Sequence, residues 1–164
     1  MPKHLTNVVV AGLGGQGVLK ASDILADVAL RAGFDVKKSE IKGMSQRGGS
    51  VTSDVRFGDA VFSPMVSPGE ADFLLVLEPT QVEPNKHYLK PGGRLIAPDA
   101  ISADKLPNKK ALNVALLGVL SAHLPLSETE WLGSLRENFR PDFFEANRQA
   151  FALGRASQAN APTP

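Results

Sequence analysis

Asn7-Val8-Val9-Val10-Ala11-Gly12-Leu13-Gly14-Gly15-Gln16-Gly17 is the stretch whose reading decides the fold. A β-branched run that ends in glycines predicts a buried strand over residues 7–11 entering a tight turn. Beyond the turn, Val18, Ala21, Leu25, Val28 and Ala32 keep helical spacing, and Leu19 and Ile24 widen the stripe. This predicts an amphipathic helix closed by Gly33, a residue suited to the position after a helix end. Residues 34–40 read as a second strand. Strand, helix and strand in so short a span make a βαβ unit with a right-handed crossover.

Working outward, residues 42–50 are polar and glycine-rich. Val51, Ser53, Val55 and Phe57 then alternate with Thr52, Asp54, Arg56 and Gly58, the period of a half-exposed strand. Residues 60–63 are expected to return as its hairpin partner. Residues 73–77 are wholly apolar and read as the central strand, followed by a short helix to about Tyr88. Pro91-Gly92-Gly93 reads as a turn and residues 94–97 as a further strand. The last third is helical. Residues 111–122 are apolar nearly all round, which marks a helix that is buried or docks on a partner. Ser127 to Glu130 matches a capping box, with Leu126 and Trp131 placed as a staple. A last helix is expected over residues 142–153, stopping at Gly154. The fold class is therefore α/β: a Rossmann-like three-layer domain with a mostly parallel sheet and a helical C-terminal third. Residues 1–154 are expected to form one domain and residues 155–164 a disordered tail.

Composition narrows the function. The 164 residues carry 18 Lys and Arg against 17 Asp and Glu, a net charge of +1, which argues against nucleic-acid binding by bulk charge. Cysteine is absent, so this chain supplies no disulfide, no thiolate-held iron–sulfur cluster and no thiol nucleophile. Its apolar runs fall short of the roughly 20 residues of a membrane helix, and residues 1–7 lack the apolar centre of a secretory signal. A cytoplasmic protein is expected. His4, His87 and His123 are isolated and show no metal-ligand spacing.

Two segments carry candidate chemistry. Gly12-Leu13-Gly14-Gly15-Gln16-Gly17 satisfies G-x-G-x-x-G between a strand and a helix. Its glycines allow a tight turn and close approach of a phosphate to free N–H groups. Three readings stay open: a dinucleotide site with Glu40 as its acid, a site for another phosphate-bearing ligand or partner, and close helix–strand packing. The second segment runs from Ser39 through Glu40, Met44, Gln46, Arg47, Gly48 and Gly49 to Ser50. It follows a strand, at the carboxyl edge where open α/β sheets bind ligands. Lys37, Lys38, Lys42 and Arg47 are set there against one acid, Glu40, and Arg47 beside two glycines suits an anion or carboxylate. Asn113, polar within an apolar helix, reads either as hydrogen-bonding a loop over the sheet edge or as facing a partner, the plainer role being preferred. No catalytic residue and no metal ligand is assigned to this chain.

Both glycine motifs in this order, with Val55-Arg56-Phe57-Gly58, Tyr88 to Gly93 and the helix around residues 113–118, resemble the gamma-type subunit of 2-oxoacid:ferredoxin oxidoreductases, in its indolepyruvate and pyruvate/ketoisovalerate branches. The resemblance spans about residues 5–154. It implies a non-catalytic subunit of a complex that oxidatively decarboxylates a 2-oxoacid (aryl, branched or pyruvate) to an acyl-coenzyme A. Thiamine diphosphate, magnesium and iron–sulfur clusters would lie on large partner subunits, with ferredoxin served indirectly. The resemblance implies no cofactor bound by this chain alone; coenzyme A is a candidate ligand within the complex, and its phosphates would suit the turn of residues 14–17. The resemblance further implies contact with the large subunit, for which residues 111–122 and 46–50 are the expected surfaces; without that partner, an exposed apolar patch there is expected to drive self-association of the isolated chain. The alternative is a stand-alone nucleotide-binding (NAD or FAD) Rossmann protein.

Overall fold

In the computed structural model, which describes residues 4–42 and 48–159, the valine run forms β1 (Leu5–Leu13), with Val8, Val9 and Val10 fully buried. The glycine turn leads into α1 (Val18–Arg31). Gly33, at φ 92°, ends it: the Gly33 N–H donates to Leu30 and the Phe34 N–H to Ala29, the paired bonds of a Schellman motif. Then follow β2 (Asp35–Lys42), β3 (Ser50–Gly58), β4 (Ala71–Val76), a helical turn α2 (Val82–Asn85) and β5 (Leu89–Ile96). The last third is α3 (Leu112–Ser121), α4 (Glu128–Asn138) and α5 (Pro141–Ser157).

The sheet order is β2-β3-β1-β4-β5. β4 lies parallel to β1 and β5 parallel to β4, while β3 is antiparallel to both β1 and β2. Four strands thus point one way and β3 points against them. β1 and β2 do form a parallel crossover unit, but β3 is inserted between them. β1, rather than β4, is the central strand. Local periodicity does not reveal that β3 pairs with both β1 and β2, because pairing is a long-range choice.

One face of the sheet supports α1 and α3 in a single apolar cluster that includes Val10, Phe57, Leu75, Ile24, Leu117 and Leu120. α4 packs on α1 and α5 on α3, so the layers run sheet, inner helices, outer helices. Trp131 of α4 meets Phe151 of α5 with ring centroids 5.4 Å apart. The Ser127 Oγ accepts the Glu130 N–H at 3.3 Å, the side-chain cap expected for α4. The opposite face carries a smaller cluster, Val9, Ala11, Leu74 and Val76 beneath Val66, Val82 and Tyr88.

Several expectations are corrected. Residues 60–63 form no strand. They belong to a strap tied down by Asp35, which accepts from the Val61 N–H, and by Arg56, which donates to the Ser63 carbonyl. Pro91 to Gly93 lie within β5, as an irregularity where the register with β4 jumps between Ala71 and Phe73. β5 is an edge strand, where a proline and a bulge are tolerated. Gly154 does not stop the last helix, which continues to Ser157 into residues expected to be tail. A Cβ on Gly154 would sit 1.8 Å from the Ala115 carbonyl oxygen, and one on Gly118 2.1 Å from that of Phe151. Both glycines therefore serve a close α3–α5 crossing. This crossing also explains the all-round apolar α3: residues 113–121 are buried between the sheet and α5, so α3 offers no docking surface.

Candidate ligand-binding site at the carboxyl edge of β1 and β4

The two glycine segments meet. Strand β3 pairs with β1 in a register that sets Ser50 opposite Leu13 and Val51 opposite Gly12. This brings Gly48, Gly49 and Ser50 to the same sheet edge as the first glycine turn, and the Gly14 N–H donates to the Gly49 carbonyl at 2.9 Å. Met44, Gln46 and Arg47 lie outside the described residues. Gly48, at φ 71°, and Ser50 are exposed, and Gly49 is half-buried.

Each residue of the first turn has a distinct role. Gly12 is buried, and a Cβ there would lie 2.8 Å from Val18 Cγ2 and 3.0 Å from Gln16 Oε1. Gly14 and Gly15 are exposed. Gly15 (φ 87°) and Gly17 (φ 86°) hold left-handed backbone, whereas Gly14 does not. The positive φ that the turn requires therefore falls at Gly15 and Gly17. Gly17 caps α1 with no side-chain hydrogen bond, and the first turn of α1 contains no acid. The positive end of α1 therefore carries neither a side-chain cap nor a neighbouring acid, a setting that favours an anion.

Gln16 stands between the two left-handed glycines, and its side chain folds back over the turn. Its Oε1 accepts the Leu13 N–H at 2.8 Å, and its Nε2 donates to Glu78 Oε2 at 2.8 Å. Glu78 follows β4, whose end is held beside β1 by the Leu77 N–H donating to the Ala11 carbonyl at 2.8 Å. Asn113, at the start of α3, covers the start of α1: its Nδ2 donates to the Gly17 carbonyl at 3.3 Å, the loop contact expected from the sequence.

Glu40 stands apart from this group. It pairs with Lys38, which also binds Asp23 of α1. Burial opposes the Lys38 charge, but hydrogen bonds to these two carboxylates raise its pKa above the ordinary lysine value. With β3 inserted, Glu40 is two strands from β1, about 10 Å at the usual strand spacing. That separation removes it as the ribose-binding acid of a dinucleotide site, where the second strand adjoins the first.

The structure thus gathers Gly12, Gly14, Gly15, Gln16, Gly17, Gly48, Gly49 and Ser50 at one edge and leaves Glu40 outside. Sequence reasoning misses Glu78. A signal for it exists: an acid directly after an apolar strand, at the edge where such sheets bind ligands. Among the described residues, no three His, Asp or Glu side chains converge as metal ligands, and no helix is long and apolar enough to cross a membrane.

A model of the pyruvate ferredoxin/flavodoxin oxidoreductase family matches residues 7–157. The chain is 36% identical over 188 residues to the indolepyruvate oxidoreductase subunit IorB of Thermococcus kodakarensis, covering 90% of this chain and 93% of that protein. It is 28% identical over 134 residues to the common gamma subunit of the pyruvate/ketoisovalerate oxidoreductases of Thermococcus litoralis, covering 76% of this chain and 72% of that one. Among solved structures, the gamma subunit of a keto/oxoacid ferredoxin oxidoreductase from Geobacter sulfurreducens superposes with a TM-score of 0.82 at 23% identity, over 98% of this chain and 99% of that one. A 2-oxoglutarate:ferredoxin oxidoreductase from Magnetococcus marinus, solved with 2-oxoglutarate, coenzyme A and succinyl-CoA bound, gives 0.85 at 20% identity. There the match covers 98% of this chain but only 32% of the longer one.

Proposed function

The chain belongs to the pyruvate ferredoxin/flavodoxin oxidoreductase family, and on that premise we propose that it is the small, non-catalytic subunit of a 2-oxoacid:ferredoxin oxidoreductase acting on an aryl 2-oxoacid of the indolepyruvate kind. The observation that carries this reading is the near end-to-end correspondence with a subunit of indolepyruvate oxidoreductase. The 2-oxoacid, thiamine diphosphate, magnesium and the iron–sulfur clusters belong to the large partner subunits in this proposal. When bound there, they supply the decarboxylation and the electron path to ferredoxin.

This chain's own contribution is a phosphate-binding edge. Coenzyme A is the ligand, its phosphates facing the exposed Gly14-Gly15 backbone and the uncapped start of α1. Docking of the second glycine segment onto the first, through the Gly14–Gly49 bond, couples ligand binding to the segment that meets the large subunit. Arg47, in that segment, is assigned to the partner or to the coenzyme A anion, with a planar fork suited to two-point contact.

The test uses the co-expressed complex and Gly15→Val. A Cβ at Gly15 meets nothing within 4 Å, so the bulk projects into the crevice while the strain is confined to the backbone. The KM for coenzyme A should rise several-fold in the variant, and the parent complex should turn over aryl 2-oxoacids faster than pyruvate. An unchanged KM would remove coenzyme A from this edge, and a preference for pyruvate would overturn the substrate assignment.

A further inference from the structure

We infer that Glu78 is a positioning residue for the ligand-binding turn, acting through Gln16; the inference rests on the proposal that this turn binds coenzyme A. Three bonds form one chain across the crevice between β1 and β4. The Leu13 N–H donates to Gln16 Oε1, Gln16 Nε2 donates to Glu78 Oε2, and the Thr80 hydroxyl donates to Glu78 Oε1 at 3.4 Å. A carboxylate only accepts, so Glu78 dictates which end of the Gln16 amide faces it. The nitrogen must turn to Glu78, which leaves the oxygen for the Leu13 N–H. The reverse orientation would set an N–H against an N–H and a carbonyl oxygen against a carboxylate.

The backbone also engages Gln16, whose N–H donates to the Leu13 carbonyl at 3.2 Å. Leu13 is therefore held by Gln16 through both its polar groups, and Leu13 is the last residue before the exposed Gly14 and Gly15. Gly12 makes the arrangement possible, because a Cβ there would stand 3.0 Å from Gln16 Oε1. The sheet edge thus fixes the turn in one shape before any ligand arrives, which lowers the ordering cost of binding.

Polarity gives a test that separates this role from simple packing. Glu78→Lys replaces an acceptor by a donor and forces the Gln16 amide the wrong way. Gln16→Glu sets two carboxylates against each other. The double variant restores the pattern, since a carboxylate at position 16 accepts from both the Leu13 N–H and an ammonium at position 78. In the co-expressed complex, hydrogen exchange at Leu13 and the KM for coenzyme A are measured alongside kcat. Each single variant should speed Leu13 exchange and raise that KM about ten-fold or more, in line with a lost charge-assisted bond, with little change in kcat. The double variant should recover most of both. Faster exchange, rescued in the double variant, with an unmoved KM supports the hydrogen-bond chain and removes coenzyme A as the ligand, a failure of the functional proposal alone. Unmoved exchange in the single variants, or no rescue in the double, overturns the role of Glu78.

Discussion

Gly17→Ala separates two costs that the structure places on one residue. The first is backbone: Gly17 has φ 86° and ψ 28°, and a left-handed conformation costs an alanine about 1–2 kcal/mol. The second is contact: the new Cβ would lie 2.4 Å from Asn113 Nδ2 and 3.1 Å from its Cγ. Asn113 is 6% exposed and has little room to withdraw, so overpacking and the lost bond to Gly17 add about 1–2 kcal/mol. Gly15→Ala is the control, since Gly15 has φ 87° with nothing within 4 Å of a Cβ, and it should show only the backbone cost of about 1–2 kcal/mol. At about 2–4 °C per kcal/mol for a domain of this size, Gly17→Ala should melt several degrees below Gly15→Ala. Thermal unfolding of both, and of Gly17→Ala on an Asn113→Ala background, completes the comparison. Removing the Asn113 amide should reduce the cost of Gly17→Ala to that of Gly15→Ala. Equal costs of Gly17→Ala with and without the Asn113 amide would refute the reasoning.

Gly154→Ala and Gly118→Ala each bring a Cβ against a backbone carbonyl, which no rotamer change relieves, so each should cost about 3 kcal/mol or more by chemical denaturation. Gly133→Ala, where a Cβ meets only the flexible Arg31 guanidinium at 3.0 Å, should be neutral or stabilising by up to about 1 kcal/mol through helix propensity. Burial raises the Asp54 pKa above its ordinary value, against the lowering effects of the Val66 N–H and Arg56. Its contribution to stability is therefore present below the ordinary value of 3.8 and lost as pH rises through the raised value. Asp54→Asn should flatten that part of the stability–pH curve, and an unchanged curve from about pH 3 to 7 would contradict the assignment. Arg47→Ala should leave the stability of the isolated chain within about 1 kcal/mol of the parent while lowering turnover of the complex, with Arg47→Lys failing similarly if two-point contact matters.

Signals in the sequence are legible where the physics behind them is also local. The valine run, the stripe of α1 from Val18 to Val28, Gly33 and Ser127 are each decided by a few neighbouring residues, and each takes the role expected of it, whereas Ala32 lies exposed past the helix end. The place of β3 is not legible, because alternation shows that residues 51–57 form a strand but not which strands it joins. The same holds for α3. Its all-round apolar surface reads equally as a docking helix or a buried one, and only the approach of α5 through Gly118 and Gly154 decides. Gly154 reads as a helix stop because glycine serves both helix ends and helix crossings.

At the site, the glycine motifs announce a turn, and Asn113 its cover. The meeting of the two motifs depends on the β1–β3 register, a tertiary fact. Glu78 lies 62 residues from Gln16, so the bond between them has no local signature. Glu40 fits the sequence spacing of a dinucleotide acid and fails on strand order.

Reconstitution tests the central claim most directly. This chain and its large partner subunit are purified separately, mixed, and followed by size-exclusion chromatography and by aryl 2-oxoacid- and coenzyme A-dependent reduction of ferredoxin. This chain alone should be inactive, the two should co-elute, and full turnover should require both. Turnover by this chain alone, or separate elution with full activity in the large subunit alone, would contradict that claim.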